Sequence, residues 1–258
     1  MPFFKTILFA PNTGTDILDL KGRAIEGISL IAAAVGKEVF KEDSVEILKY
    51  LFELKKSIAT DDPREVYLQR SWANYCKALG PDFSIYLPEL LPSVLEKAKQ
   101  DADVTLINTV ANHDPEKYNL LQLDKDHTIA IKTSTINEKI SNLQLLYWIV
   151  YELKYAFFPC IELAAKVCCE CLAFIYSESV RTHACHILMK LFECVRTAVD
   201  TQNQDPESIL QLFKFVAPVM LKAISKELDR EVSIILVDNF AQVRFSCLSS
   251  FPSPFSLP

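Results

Sequence analysis

Six residues in one stretch have the types that bind zinc or act as nucleophile and base: Cys168, Cys169, Cys171, His183, Cys185 and His186. Cys168 and Cys171 are three apart, as are His183 and His186, so each pair shares a face if its segment is helical. Two adjacent helices would then offer four ligands to a tetrahedral metal, or a thiol beside an imidazole. Against this, structural zinc sites usually use loops or knuckles, and cysteine is a common small core residue. Packing is the expected role, and no metal-ligating or catalytic residue and no cofactor are assigned. His113 and His127, with Asp114, Asp124 and Asp126, mimic a metal loop, but their spacing follows no ligand pattern and they read as a solvated loop. Trp72 and Trp148 are expected to pack between repeats rather than form an exposed ladder.

Charged residues at helical spacing are more useful. Glu46, Lys49 and Glu53 fall on one face of a segment, and Glu89, Ser93, Glu96 and Gln100 on one face of another. Two further segments carry Glu162, Lys166 and Glu170, then Gln211, Lys214, Lys222 and Lys226. A merely solvated face would look the same. The functional reading is a protein-binding surface, acidic at one end and basic at the other, drawing basic partners through long-range attraction.

The segments that position these residues are helices in pairs. Asp16–Val35 carries Ile17, Leu20, Ala24, Ile28, Ile31 and Val35 at steps of three or four. Gly36 then punctuates, and Ser44–Ser57 follows. The second pair is Pro63–Leu79 and Phe83–Gln100, separated by Gly80-Pro81; Pro63 after Asp61-Asp62 makes a good helix start. The third runs from about Ile136 to Tyr155 and from Phe158 to Tyr176, the fourth over Ser179–Val199 and Pro206–Leu228, and a fifth first helix begins near Asp229. Pro92 and Pro218 lie inside second helices and are expected to kink them. First helices end near Gly36, Gly80, Leu153, Val195 and Val243, a period of about 40–47 once about 30 inserted residues are removed, which is the HEAT/armadillo range. The fold expected is all-α, a solenoid of about four and a half antiparallel hairpins. It divides into repeats over 1–100, an acidic insertion over 101–135, repeats over 136–243 and an irregular tail over 244–258. Residues 101–135 lose periodicity, and Thr128–Lys132 is left as a small hairpin or extended strand on a mobile, exposed surface.

Composition agrees. Of 258 residues half are hydrophobic, and all five glycines (Gly14, Gly22, Gly27, Gly36 and Gly80) fall in the first 80, which argues against phosphate-cradling loops and against an all-β chain. Net charge is −6, and no basic run is interleaved with aromatics, so a nucleic-acid groove is not expected. Eight cysteines, most of them within apolar helical stretches, suggest a reducing compartment rather than a disulfide framework. No uncharged run approaches the length of a bilayer span, so membrane insertion is not expected.

The stretch Leu20–Glu38, the segment Ser71–Gly80 followed by Tyr86–Pro92, the acidic insertion, Ile131–Thr133 and Leu221–Ile224 resemble the karyopherin-β nuclear transport receptors, most closely the importin five subgroup. The match spans roughly 16–243. It implies a superhelix with first helices on the convex side and second helices on the concave side, placing the polar stripes on a concave binding surface. It implies no enzymatic activity. Implied partners are cargo proteins with basic import signals, the GTPase Ran, and phenylalanine-glycine nucleoporins on convex hydrophobic grooves, with shuttling between cytoplasm and nucleus. Ran binding is expected to be weak or absent here, since the amino-terminal repeats that dominate it in the family are missing. Both ends read as cut: Met1 enters partway through a hairpin, and the pattern stops after Val243, from read-through or as a genuine tail. The alternative is a HEAT scaffold or regulatory subunit unrelated to transport.

Overall fold

The computed structural model describes residues 2–11, 14–59, 62–107, 117–122 and 128–249. Ten helices are described: α1 (Pro2–Phe9), α2 (Thr15–Val35), α3 (Lys37–Ser57), α4 (Arg64–Leu79), α5 (Leu87–Lys99), α6 (Thr133–Leu153), α7 (Ile161–Cys171), α8 (Glu178–Gln202), α9 (Glu207–Lys226) and α10 (Arg230–Ser249). They form the all-α, HEAT-type hairpins expected: α2/α3, α4/α5, α6/α7, α8/α9 and the first helix of a fifth. Residues pack as two compact units, Met1–Glu89 and Leu90–Pro258.

In the first unit, α4 lies along α2, and the match is chemical as well as steric. The Tyr67 ring lies so close over Gly22 that a Cβ there would collide with it, while the Tyr67 hydroxyl donates to Asp19 at 2.9 Å. Further along, Tyr75 donates to the Ile25 carbonyl at 3.2 Å and Asn74 to Ser29 Oγ at 3.0 Å. Leu68, Trp72, Tyr75, Cys76 and Leu79 make the buried stripe of α4. Trp72, 1 % exposed, packs against Phe52 of α3 with ring centroids 4.8 Å apart.

In the second unit, first helices stack on first helices (α6 on α8, α8 on α10) and α7 contacts α9. Helix α9 has the length and apolar content to cross a bilayer, alone among the described residues. It is nevertheless two-sided: Ile209, Leu212, Val216 and Met220 are buried, while Lys214, Lys222 and Lys226 are exposed. Both α5 and α9 continue through their internal prolines, Pro92 and Pro218.

Three findings depart from the sequence-based expectation. The insertion is not simply exposed: β1 (Val104–Ile107), β2 (Tyr118–Gln122) and β3 (Thr128–Lys132) form an antiparallel sheet in the order β1-β3-β2, with Val104 opposite Ile131 and Tyr118 opposite Lys132. Ile129 and Ile131 are buried with Ile136 at the start of α6, against Ala102, Ile140 and Tyr176. An apolar anchor thus ties the acidic insertion to the hairpins. Second, 3-10 turns, Gly80–Tyr86 and Lys154–Cys160, precede α5 and α7, so those helices start later than periodicity suggests. Third, α10 continues past Val243 to Ser249; residues 250–258 lie outside the described residues.

A recurring contact closes the ends of helices. The last carbonyls of a helix have no intrahelical partner and carry the negative end of its dipole. Lys21 of α2 donates to the Ala10 carbonyl just after α1. Lys139 of α6, 4 % exposed, donates to the carbonyls of Ala98 and Gln100 at the end of α5, its ammonium 4.8 Å from the Phe174 ring centre. Arg181 of α8 donates to the Phe174 carbonyl after α7 at 3.1 Å.

Two stability predictions follow from this geometry. Replacing Lys139 by Met keeps the buried stem but strands the Ala98 and Gln100 carbonyls, and should cost about 1.5–3 kcal/mol; a urea midpoint that does not fall would remove the cap from the account. The two 3-10 turns begin with the same backbone twist, Gly80 at φ 55°, ψ −133° and Lys154 at φ 50°, ψ −125°. Only glycine adopts that region without strain, and the Lys154 side chain is exposed. Lys154→Gly should therefore stabilise by about 1 kcal/mol, read as a higher unfolding midpoint.

Candidate functional site

The outer faces of the second helices follow from which residues those helices bury. In α3, Ile47, Leu48, Leu51, Phe52 and Leu54 face inward, leaving Glu46, Lys49 and Glu53 exposed. In α5, Leu87, Leu90, Leu91, Val94, Leu95 and Ala98 are buried and Glu89 and Glu96 exposed; Gln100 is exposed just past the helix end. Ser93 is the exception, half-buried with its hydroxyl donating to the Leu90 carbonyl at 3.0 Å. In α7, Ile161, Ala164, Ala165 and Cys168 turn in and Glu162, Lys166 and Glu170 out. In α9, Gln211, Lys214, Lys222 and Lys226 are all exposed.

Ion pairs already engage several of these charges. In the first unit, Lys5 bridges Glu46 and Asp43, both at 2.6 Å, and those hydrogen bonds, Asp43 first, raise its ammonium pKa. Lys56 of α3 reaches Glu89 at 3.3 Å. In the second unit, Lys99 pairs with Glu170 at 3.3 Å, linking the end of α5 to α7, and Lys214 with Glu207 at 3.5 Å. Such exposed pairs contribute little to stability, but they neutralise charge locally. Among the described residues, Glu53, Glu96, Glu162, Lys166, Lys222 and Lys226 end in no ion pair. In the second unit, the uncommitted acids are thus Glu96 on α5 and Glu162 on α7, the latter one turn from the uncommitted Lys166, and two further uncommitted lysines, Lys222 and Lys226, lie on the last turns of α9.

The cysteine–histidine cluster does not converge. Cys168, Cys169 and Cys171 are buried on α7 and Cys185 on α8, whereas His186 is exposed and His183 holds the Ser179 carbonyl through Nδ1 at 2.7 Å. Among the described residues, no three His, Cys, Asp or Glu side chains are grouped to hold a metal ion. Burial pushes the thiols of Cys169 and Cys185 up to about 12 and that of Cys168 well above its ordinary value. At Cys171, burial raises the thiol pKa and the nearby Lys139 ammonium opposes it. His113, His127, Asp114, Asp124 and Asp126 lie outside the described residues.

Trp148 departs from the expected packing role: it is 45 % exposed on α6. It meets Tyr147 edge-on at 5.5 Å and Tyr151 at 5.7 Å between ring centroids, and Lys190 of α8 sits 5.4 Å above the Tyr151 ring while donating to Glu193. The signal was present in the sequence: α6 buries Leu143, Leu146, Val150 and Leu153, and at 100° per residue position 148 points away from that stripe.

No family model matches the chain. Among curated proteins, it is 30% identical over 258 residues to importin subunit beta-3 of Saccharomyces cerevisiae, covering 96% of this chain and 23% of that protein. It is 29% identical over 188 residues to a probable importin-5 homolog of Dictyostelium discoideum, covering 73% of this chain and 16% of the relative. Among solved structures, Kap121p matches with a TM-score of 0.78 at 27% identity, over 95% of this chain and 23% of Kap121p. Kap121p has also been crystallised with the extreme C-terminus of the phosphatase Cdc14p, with Ste12p, with Nup53p and with Pho4p. The chain therefore spans about a quarter or less of the length of these relatives.

The buried thiols give a test that needs no partner. A thiol held protonated is neither a nucleophile nor a ready metal ligand. Alkylation of the native protein at pH 8, mapped by peptide mass, should leave Cys168, Cys169, Cys171, Cys185 and Cys194 unmodified, and all five should react in denaturant. Fast labelling of any of them in the native state would contradict their packing role.

Proposed function

We propose that this chain, which belongs to the importin-5 subgroup of the karyopherin-β nuclear transport receptors, supplies protein-binding faces in nuclear import and takes basic cargo on the outer faces of α5 and α7. The observation that carries the reading is the pair of exposed carboxylates without ion-pair partners, Glu96 and Glu162, on second helices of one compact unit. Lysine-rich segments are attracted to such a surface from a distance, and the attraction fades with salt. The crystallised Kap121p complexes, with Cdc14p, Ste12p and Pho4p, support a binding role over an enzymatic one.

Two further elements of the proposal come from the resemblance. Phenylalanine-glycine nucleoporin segments would dock at the exposed Tyr147–Trp148–Tyr151 cluster of α6, where aromatic stacking is available without rearrangement. Release of cargo in the nucleus would be under the control of Ran, bound through parts of a longer receptor rather than through these faces. The protein would accordingly be found in both cytoplasm and nucleus.

The charge reversal Glu96→Lys with Glu162→Lys tests the cargo face. A labelled peptide with lysines spaced along an otherwise neutral segment should bind the variant about tenfold more weakly, about 1.4 kcal/mol, at low salt. The difference should shrink as salt is raised. Equal affinity at low salt would remove α5 and α7 from the cargo-binding surface.

A further inference from the structure

The structure assigns a second binding site of opposite charge preference: we propose that the cavity between the ends of α7 and α9 takes an apolar side chain from an acidic peptide segment of a partner protein. The cavity, about 520 Å³, is lined by Leu172, Ile175, Val219, Ala223 and Leu228 and lies wholly within the second unit. That volume suits a large side chain with its flanking backbone. Two of its walls are unusual for a folded chain: Ile175 is 73 % exposed and Leu228 is 98 % exposed. Single exposed apolar residues need no explanation, but two that flank one apolar cavity form a continuous wettable patch that a ligand would cover.

The cavity is held open by rigid parts. Arg181 donates to both carboxylate oxygens of Glu227, at 2.7 and 2.9 Å, and to the Phe174 carbonyl at 3.1 Å. Glu227 in turn accepts from the backbone N–H groups of Leu228 and Asp229, each at 3.1 Å. One buried pair therefore fixes the turn after α7 and the turn after α9, from which Ile175 and Leu228 project.

Charge decides the partner. Arg181 and Glu227 cancel each other, and Asp229 is occupied in capping α10 through the Val232 N–H at 2.9 Å. Glu178 also faces the cavity, from the first turn of α8, where the helix dipole offsets its charge. What remains on the rim is Lys222 and Lys226, exposed one turn apart and, among the described residues, in no ion pair. A segment with carboxylates on either side of a bulky apolar residue meets both features, whereas the lysine-rich segments proposed for α5 and α7 would be repelled. This site stands without the transport reading, because it rests on the cavity and its rim alone.

The test uses a fluorescein-labelled peptide with one phenylalanine between two runs of three acidic residues, titrated with the full chain and read by anisotropy. Binding is expected, and replacing the peptide's phenylalanine by alanine, or its acids by lysines, should weaken it at least tenfold. Lys222→Glu with Lys226→Glu should cause a similar loss, and Ala223→Phe, which fills the cavity, should abolish binding; circular dichroism would establish that both variants remain folded. Glu96→Lys with Glu162→Lys should leave this peptide's affinity unchanged, so the two surfaces fail or succeed separately. Equal binding of the alanine peptide, undiminished binding to folded Ala223→Phe, or concentration-dependent self-association that Ala223→Phe abolishes would overturn the proposal, the last by making a second copy the occupant.

Discussion

A basic side chain that closes the carbonyl end of the preceding helix is the contact on which the hairpin arrangement depends. Three junctions place carbonyls at or just after a helix C-terminus, where partial negative charge gathers, within reach of the next first helix. Lys21, Lys139 and Arg181 each supply a cation there from an early turn of the next first helix. Apolar packing alone would let one hairpin slide along the next, since it is non-directional. A buried ammonium on one or two named carbonyls admits one register. At the start of α4 the device changes form: Arg64 turns back on Asp62, with bonds of 2.6 to 3.2 Å, and the hydrogen bonds hold that carboxyl below its usual range.

With the register fixed in this way, the surface chemistry follows from subtraction. The second helices spend their apolar residues inward, so whatever charge they carry must face out. Ion pairs between successive second helices, Lys56 with Glu89 and Lys99 with Glu170, then consume part of it. Glu96 on α5, Glu162 and Lys166 on α7, and Lys222 and Lys226 on α9 are the charges that survive for a partner to meet. A count of charges along the sequence gives a different and flatter picture, because it cannot tell a paired carboxylate from an unpaired one.

The helices and their pairing were legible in the sequence because buried residues recur at helical spacing and because Gly36 and Gly80 mark breaks. All the charged residues read onto the second-helix faces are in fact exposed; only Ser93, small enough to bond its own helix, is drawn in. The 3-10 turns escaped notice because their apolar residues, such as Phe83 and Phe157, continue the periodic pattern while the backbone twists differently. Lys154 hides the second turn further, since a lysine stands where the equivalent Gly80 would advertise the break. Of the sheet only Thr128–Lys132 was legible, as a hairpin or extended piece; β1 and β2 are four and five residues long, too short for alternation to stand out, and the packing of Ile129 and Ile131 against Ala102 and Tyr176 joins residues distant in sequence. Trp148 shows the reverse error, in which residue type outweighed position: tryptophan suggests a core, but the stripe of α6 excluded it.

The third cap differs from the other two in a way that connects fold to binding. Lys21 and Lys139 are single charges with backbone carbonyl partners, whereas Arg181 has a planar fork that can serve a carbonyl and a carboxylate together. Because Glu227 answers it, the same cation holds both the turn after α7 and the turn after α9. Burial raises the pKa of Glu227, but the Arg181 bonds and two backbone N–H groups outweigh it and leave the carboxyl below its ordinary value of 4.5. The stabilisation this gives is therefore complete above about 4.5 and fades as the pH falls through the depressed value, so the clamp is intact at neutral pH. A lysine at position 181 could cap the helix but could not grip both carboxylate oxygens, and the two turns would be less firmly joined. The cavity between the ends of α7 and α9 is thus walled by two turns that one arginine joins.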